Sequence, residues 1–217
     1  MSYSHSFATK NDTICAVATP PGTGAIAIVR MSGPESLDIA FKLFTPFQDN
    51  LKKNQVKSHH MYYGQIRSEK ELVDEVLFTY FKAPHSYTGE DSVELSCHGS
   101  EFIQQKIVEL LIKHGARFAE PGEYTLRAFL NGKLDLSQAE AVADLIASQS
   151  RSAHRMALNQ MRGGFSEKIK ELRDKLLQFT SLIELELDFS EEDVEFADRA
   201  ALTDLLDELQ QELNFLA

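Results

Sequence analysis

The 217-residue chain carries 22 basic and 33 acidic side chains, a formal net charge of −11, with 43% hydrophobic and 25% charged residues. That is the composition of a globular protein and not of a disordered tract. No apolar run reaches the ~18 residues of a membrane helix and the N-terminus MSYSHSFATKND lacks an apolar signal core, so a cytoplasmic protein is expected. Cys15 and Cys97 support neither a disulfide scaffold nor a CxxC zinc site.

In chain order, Ile14 to Ala18 and Ala25 to Met31 are alternating β-branched runs, predicted as two strands around the turn Thr19-Pro20-Pro21-Gly22-Thr23-Gly24. Ser32-Gly33-Pro34-Glu35 predicts a helix start with Pro34 near the first helical position, followed by Leu37, Ile39, Ala40, Phe41 and Phe44. Residues 46–58 are polar and lysine-rich, a loop. Met61 to Arg67, Val73 to Phe81 and Ser92 to Cys97 suit strands, the first two joined as a hairpin through Ser68-Glu69-Lys70-Glu71. Glu101 to His114 spaces Phe102, Ile103, Ile107, Leu110 and Leu111 helically and stops at Gly115.

The character changes near Pro121-Gly122. Ser137-Gln138-Ala139-Glu140 fits a capping box, from which a long alanine-rich helix is expected to run to Gly163-Gly164. Phe165, Ile169, Leu172, Leu176, Phe179 and Ile183 then form a bundle-like seam, and Leu202, Leu205, Leu206, Leu209, Leu213 and Leu216 a second stripe. The fold class is therefore α+β: a mixed strand and helix domain over residues 1–119, then part of an all-α helical bundle over residues 120–217. The stripe still runs at Ala217, which leaves open a frayed C-terminal helix or a chain cut at a domain linker. Charge is equally local: residues 184–217 hold one basic residue, Arg199, against 12 acids, and would repel a phosphate backbone.

The residues offer few chemical motifs. Gly22-Thr23-Gly24-Ala25-Ile26-Ala27 fits GxGxxA, but that fingerprint must open a helix and here it opens a strand; no GxxxxGK[ST] occurs, so the chain has no P-loop. In Ser92 to His98 a strand period of two puts Val93, Leu95 and Cys97 on one face and Glu94, Ser96 and His98 on the other, which separates Cys97 from His98 as a nucleophilic dyad. Taken by themselves, Glu94 fits a solvated strand glutamate, His98 a loop histidine, Glu90-Asp91 a turn or cap pair, Arg30 a strand-end charge and Lys133 a loop lysine. No carboxylate or histidine pair has a geometry that argues for acid–base catalysis, and no metal site is expected.

Several longer motifs carry a resemblance. Asn11 to Gly22, Ile28-Val29-Arg30-Met31-Ser32-Gly33, Ser86-Tyr87-Thr88-Gly89-Glu90-Asp91, Cys97-His98-Gly99, Ala119 to Thr125, Arg127 to Leu136 and Gln138-Ala139-Glu140-Ala141 occur in the order found in one family. The chain resembles the N-terminal part of the tRNA uridine-5-carboxymethylaminomethyl modification GTPases, the MnmE or TrmE family. The resemblance implies a tetrahydrofolate-binding, homodimer-forming domain and a helical domain interrupted by a G domain that would begin about where this chain ends. GTP, Mg2+ and K+ would belong to that absent G domain. It places the family's folate contacts, for 5,10-methylene- or 5-formyl-tetrahydrofolate, on Arg30, Glu94 and Lys133. Glu94 would accept paired pterin N–H groups, and the two cations suit the anionic tail or ring oxygens. Lys133, beyond residue 119, would reach such a site from the neighbouring domain or across a dimer. The implied function is one-carbon supply to C5 of the wobble uridine of tRNA, with the flavoprotein MnmG as partner and tRNA not bound tightly by this acidic chain. Two other readings stay open: a dimeric helical interaction module with an acidic docking segment, and a free-standing folate-dependent aminomethyltransferase.

Overall fold

The computed structural model of the chain describes residues 12–48, 51–69, 71–188 and 199–216. They form two compact units, Met1–Leu134 and Asp135–Ala217. In the first, β1 (Ile14–Val17) and β2 (Ile26–Ser32) flank the glycine-rich turn, α1 (Ser36–Leu43) leads into β3 (Phe44–Pro46), and β4 (Met61–Ser68) and β5 (Glu71–Phe81) form the expected hairpin. Then come β6 (Ser92–His98), α2 (Glu101–Lys113), β7 (Arg117–Phe118) and α3 (Glu123–Leu130). One sheet in the order β3-β4-β5-β6-β2-β1-β7 holds all seven strands, every pair antiparallel except β1 with β7.

The period-two pattern decides which face of the sheet is buried. Cys15, Val29, Met31, Phe78, Val93 and Leu95 on one face pack with Ile39 and Ala40 of α1 and Ile107 and Leu111 of α2 into a single core. Fully burying a side chain such as Ile39, Ile107 or Leu111 is worth about 1.5–3 kcal/mol. The alternate residues Arg30, Glu94 and Ser96 fall on the other face and are only half-buried. At the end of the β2–β6 ladder, Gly99 accepts from Gly24 N (3.0 Å) and donates to Ala25 O (3.3 Å). A Cβ at Gly99 would lie 2.6 Å from the Gly24 carbonyl carbon, so this close approach needs glycine.

Several expected details differ. Helix α1 begins at Ser36 with Glu35 as its cap residue, two positions past Pro34, because the Ser36 hydroxyl is engaged by Gly33 O (2.7 Å) and Asp91 O (2.8 Å). The short strands β3 and β7 have no alternating pattern of their own; they form because α1 and α2 return the chain to the sheet edges. Residues 46–58 contain one 3-10 turn, Lys53–Gln55. The units divide at Leu134/Asp135, fifteen residues beyond the expected 119/120, because α3 is bound to the first unit by buried ion pairs described below.

The second unit comprises α4 (Leu136–Ala147), α5 (Arg151–Met161), α6 (Gly164–Asp188) and α7 (Arg199–Leu216). Its first helix starts at Leu136, not after Ser137: Asp135 accepts from Gln138 N (2.8 Å), and Gln138 returns its side-chain oxygen to Asp135 N (2.9 Å). An Asp-x-x-Gln box thus replaces the expected Ser-x-x-Glu box, since aspartate caps as well as serine and comes first in the chain. The long helix is instead two, because Ser148 closes α4 on Leu145 O (2.8 Å) and Ser150 opens α5 on Ala153 N (3.2 Å). Ala141 and Ala157 are buried between the helices, and Gln138 to Met161 O (3.1 Å) and Gln160 to Ser137 O (3.2 Å) pin the pair. On the later helices Leu172, Phe179 and Leu205 are buried, whereas Ile169 and Leu176 stay about 40% exposed. Residues 189–198 of the acidic segment lie outside the described residues. Among the described residues no helix is long and apolar enough to cross a membrane.

Candidate functional site

Two of the three residues singled out from the sequence meet directly. Arg30 on β2 and Glu94 on β6 are register partners on the face away from α1 and α2. Arg30 Nε donates to Glu94 Oε1 at 2.8 Å and its terminal NH2 reaches the same oxygen at 2.7 Å. The hydrogen bond and the ion-pair contact therefore both fall on one carboxylate oxygen, and Glu94 Oε2 has no hydrogen-bond partner among the described residues. The pair keeps side-chain exposures of 29% and 24%, so it is open to a ligand from solvent.

Two tyrosines flank the guanidinium. Its Cζ lies 5.7 Å from the ring centroid of Tyr87 and 5.7 Å from that of Tyr124, within the ~6 Å at which a cation is drawn to a ring face. Tyr124 OH donates to the Arg30 carbonyl at 2.7 Å. Burial pushes the Tyr124 phenol well above its ordinary range, so it stays a donor. Tyr87 pairs its hydroxyl with Thr125 Oγ1 at 2.9 Å, tying the 82–91 loop to α3.

Lys133 sits elsewhere than expected. It belongs to the first unit, and its Nζ donates to Pro84 O (3.1 Å) on the same loop that carries Tyr87. Its aliphatic stem runs beside Gly89, where an added Cβ would lie 3.1 Å from Lys133 Cγ. The loop is fixed from below as well: Asn131 donates to Thr88 O (2.8 Å), and buried Thr88 meets Ser32 Oγ at 2.6 Å.

Ion pairs between segments distant in sequence hold α3 here. Arg127 and Glu123, with side chains 7% and 6% exposed, pair with each other (3.1 Å). Arg127 also bonds Asp12 and Glu90, while Arg117 bonds Asp12 (2.7 Å) and Glu123 (2.6 Å). Burial would raise the Glu123 and Asp12 carboxyls, but hydrogen bonds from the two arginines outweigh it and hold both below the usual range. The i,i+4 spacing of Glu123 and Arg127 was the available sequence signal; Asp12 and Glu90 come from distant segments and carried none. Glu90 thus serves this network, and Asp91 caps the Ala83 N–H at 2.8 Å.

The remaining motif residues act structurally. Cys97 is buried with its thiol near Ala27 O, while His98 points outward, its Nδ1 2.7 Å from Asp74 Oδ1, so the two do not form a dyad. Burial raises the Cys15 and Cys97 thiols to about 11. The Gly22–Ala27 segment opens β2 and no helix, so it lacks the geometry of a dinucleotide fingerprint. Among the described residues no group of three or more His, Cys, Asp or Glu side chains is gathered to hold a metal ion.

A seven-stranded mixed sheet followed by a separate helical unit is the organisation of an α+β domain joined to a helical domain. Comparison with known proteins assigns both parts: residues 13–133 match the family model of the GTP-binding protein TrmE N-terminus, and residues 136–217 that of the MnmE helical domain. The chain belongs to the TrmE/MnmE family. It is similar to proteins named tRNA modification GTPase MnmE from Bacteroides fragilis (strain YCH46; 60% identity over 206 residues, 95% of this chain and 44% of that protein) and Bacteroides thetaiotaomicron (59% over 205 residues, 94% and 44%). The relative of that name from Flavobacterium johnsoniae is 55% identical over 199 residues, 92% and 42% of the two chains. The chain thus spans less than half the length of these relatives.

Proposed function

We propose that the first unit binds a reduced folate that carries a one-carbon unit, and does so as the front part of a tRNA modification GTPase. The observation that carries this reading is the Arg30–Glu94 pair with Glu94 Oε2 left open. A pterin ring presents an N–H and an exocyclic amino group side by side, and a carboxylate accepts both as charge-assisted bonds. Arg30, already on Oε1, offers its outer N–H groups to ring oxygens. Lys133, exposed at the loop bearing Tyr87, supplies a cation for a formyl oxygen or the anionic tail. The bound folate supplies the carbon; the chain's own residues bind and orient it.

In the longer protein, this unit scaffolds a homodimer in the cytoplasm, and a G domain beyond the helices described would hold GTP with Mg2+ and K+. With the flavoprotein MnmG, the assembly adds a carboxymethylaminomethyl group to C5 of the tRNA wobble uridine. Calorimetric titration of the chain with 5-formyltetrahydrofolate tests the core of the reading. Glu94→Gln should weaken binding about 10- to 100-fold, the worth of one charge-assisted hydrogen bond. Absence of binding by the wild-type dimer, or equal binding by the variant, would refute it. Light scattering tests the dimer, which a monomer at micromolar concentration contradicts.

A further inference from the structure

We propose that Tyr87 and Tyr124 are positioning residues of this site: they hold the Arg30 guanidinium against their rings so that it faces only one oxygen of Glu94 and leaves the other for the ligand. The inference rests on the reduced-folate reading for its ligand, but its structural part stands on its own geometry. An arginine facing a carboxylate ordinarily docks fork to fork, one N–H on each oxygen. Here Nε and NH2 converge on Oε1 at 2.8 and 2.7 Å, so something other than the carboxylate sets the orientation of the guanidinium plane. The neighbours in contact are the two rings, each 5.7 Å from Cζ.

Each ring is itself fixed. Tyr124 lies one residue after Glu123, whose carboxylate is locked by Arg117 and Arg127, and its hydroxyl holds the Arg30 backbone at 2.7 Å. Tyr87, 40% exposed, is tied through its hydroxyl to Thr125, the residue after Tyr124. Two rings from separate segments, braced against the same turn of α3, thus converge on one side chain whose partner must keep a free oxygen. A fork-to-fork Arg30 would occupy both oxygens of Glu94, and the ligand would have to break one bond before making its own.

The test uses the 217-residue chain with Tyr87→Leu, Tyr124→Leu and Tyr124→Phe, read by the Arg30 Nε–H resonance in 15N spectra and by titration with 5-formyltetrahydrofolate. Removing one ring should broaden or shift the Nε–H signal and weaken binding about two- to fivefold, the worth of one exposed cation–ring contact. Tyr124→Phe keeps the ring, loses only the hydroxyl, and should restore the signal and most of the affinity. Tyr87 is exposed, so Tyr87→Leu keeps the test alive if Tyr124→Leu fails to fold. An unchanged Nε–H signal in both leucine variants overturns the proposal, as does a loss in Tyr124→Phe equal to that in Tyr124→Leu. Failure of the wild-type chain to bind the folate overturns the ligand reading instead, and the resonance still decides the clamp.

Discussion

Replacing Arg127 by methionine removes the central cation of the buried network while keeping most of its aliphatic volume. The arginine donates to Glu123, Asp12, Glu90 and the Asp12 carbonyl. Of its carboxylate partners, Glu123 keeps the second cation Arg117, and so does Asp12, but Glu90 retains only the Ser32 hydroxyl at 2.8 Å. Removing one member of a buried ion pair costs about 3–5 kcal/mol. Partial exposure of Asp12 (27%) and Glu90 (17%) lets water repay part of that, so about 3 kcal/mol is expected. The pH dependence carries the same signature. Asp12 and Glu123 are held below their unfolded values of roughly 4, so the stability they confer is present above pH ~4 and is lost as pH falls through their folded values. Urea unfolding followed by circular dichroism at pH 7 and at stepwise lower pH measures both effects: the variant should be short by ~3 kcal/mol at pH 7, and that deficit should shrink as pH falls below ~4. A loss below about 1 kcal/mol at pH 7, the range of a surface pair, would refute the view that this network anchors α3.

The other predictions address single groups. Cys15 and Cys97, both buried with thiols raised to about 11, should resist a thiol reagent at pH 8 in the native chain and react fully in urea; rapid native labelling of both would contradict their core placement. Asp135→Ala should cost about 1 kcal/mol as a lost helix cap. Ser137→Ala should be neutral or slightly stabilising, because Ser137 Oγ is buried without a hydrogen-bond partner among the described residues. Thermal melts of the two variants side by side would reverse this order if Ser137 were the cap.

Much of the fold was legible because its signals are local. Alternation in Ser92–His98 gives the strand and the face on which Glu94 stands, the β-branched run ending at Met31 gives β2, and Gly115, at φ +118, closes α2 where expected. The cap of α4 was misread because Asp135-x-x-Gln138 and Ser137-x-x-Glu140 overlap and both satisfy the pattern; the choice is made by where the preceding turn ends, with Leu134 N still bonded toward Ala128 O (3.4 Å). The unit boundary is hidden in the sequence for a different reason. Pro121-Gly122 does break the chain locally, but the attachment of α3 depends on Asp12 and Glu90, separated from Arg127 by 115 and 37 residues. Arg30 and Glu94 were separately unremarkable, and only the β2–β6 register makes them a pair.

Three consecutive residues join stability to the proposed recognition site in this unit. Glu123 takes the arginines of the network, Tyr124 takes the Arg30 backbone and ring contact, and Thr125 takes Tyr87. Loosening α3 through Arg127 should therefore weaken the proposed folate binding as well as the fold, since it frees both rings at once. Loosening Tyr87 should weaken binding while leaving the fold intact, because its exposed ring contributes little to the core. The two perturbations separate on a plot of affinity against unfolding free energy. If the Tyr87 variant fell on the line drawn by network variants, the rings would merely report the docking of α3; displacement toward weaker binding at full stability would mark them as part of the site.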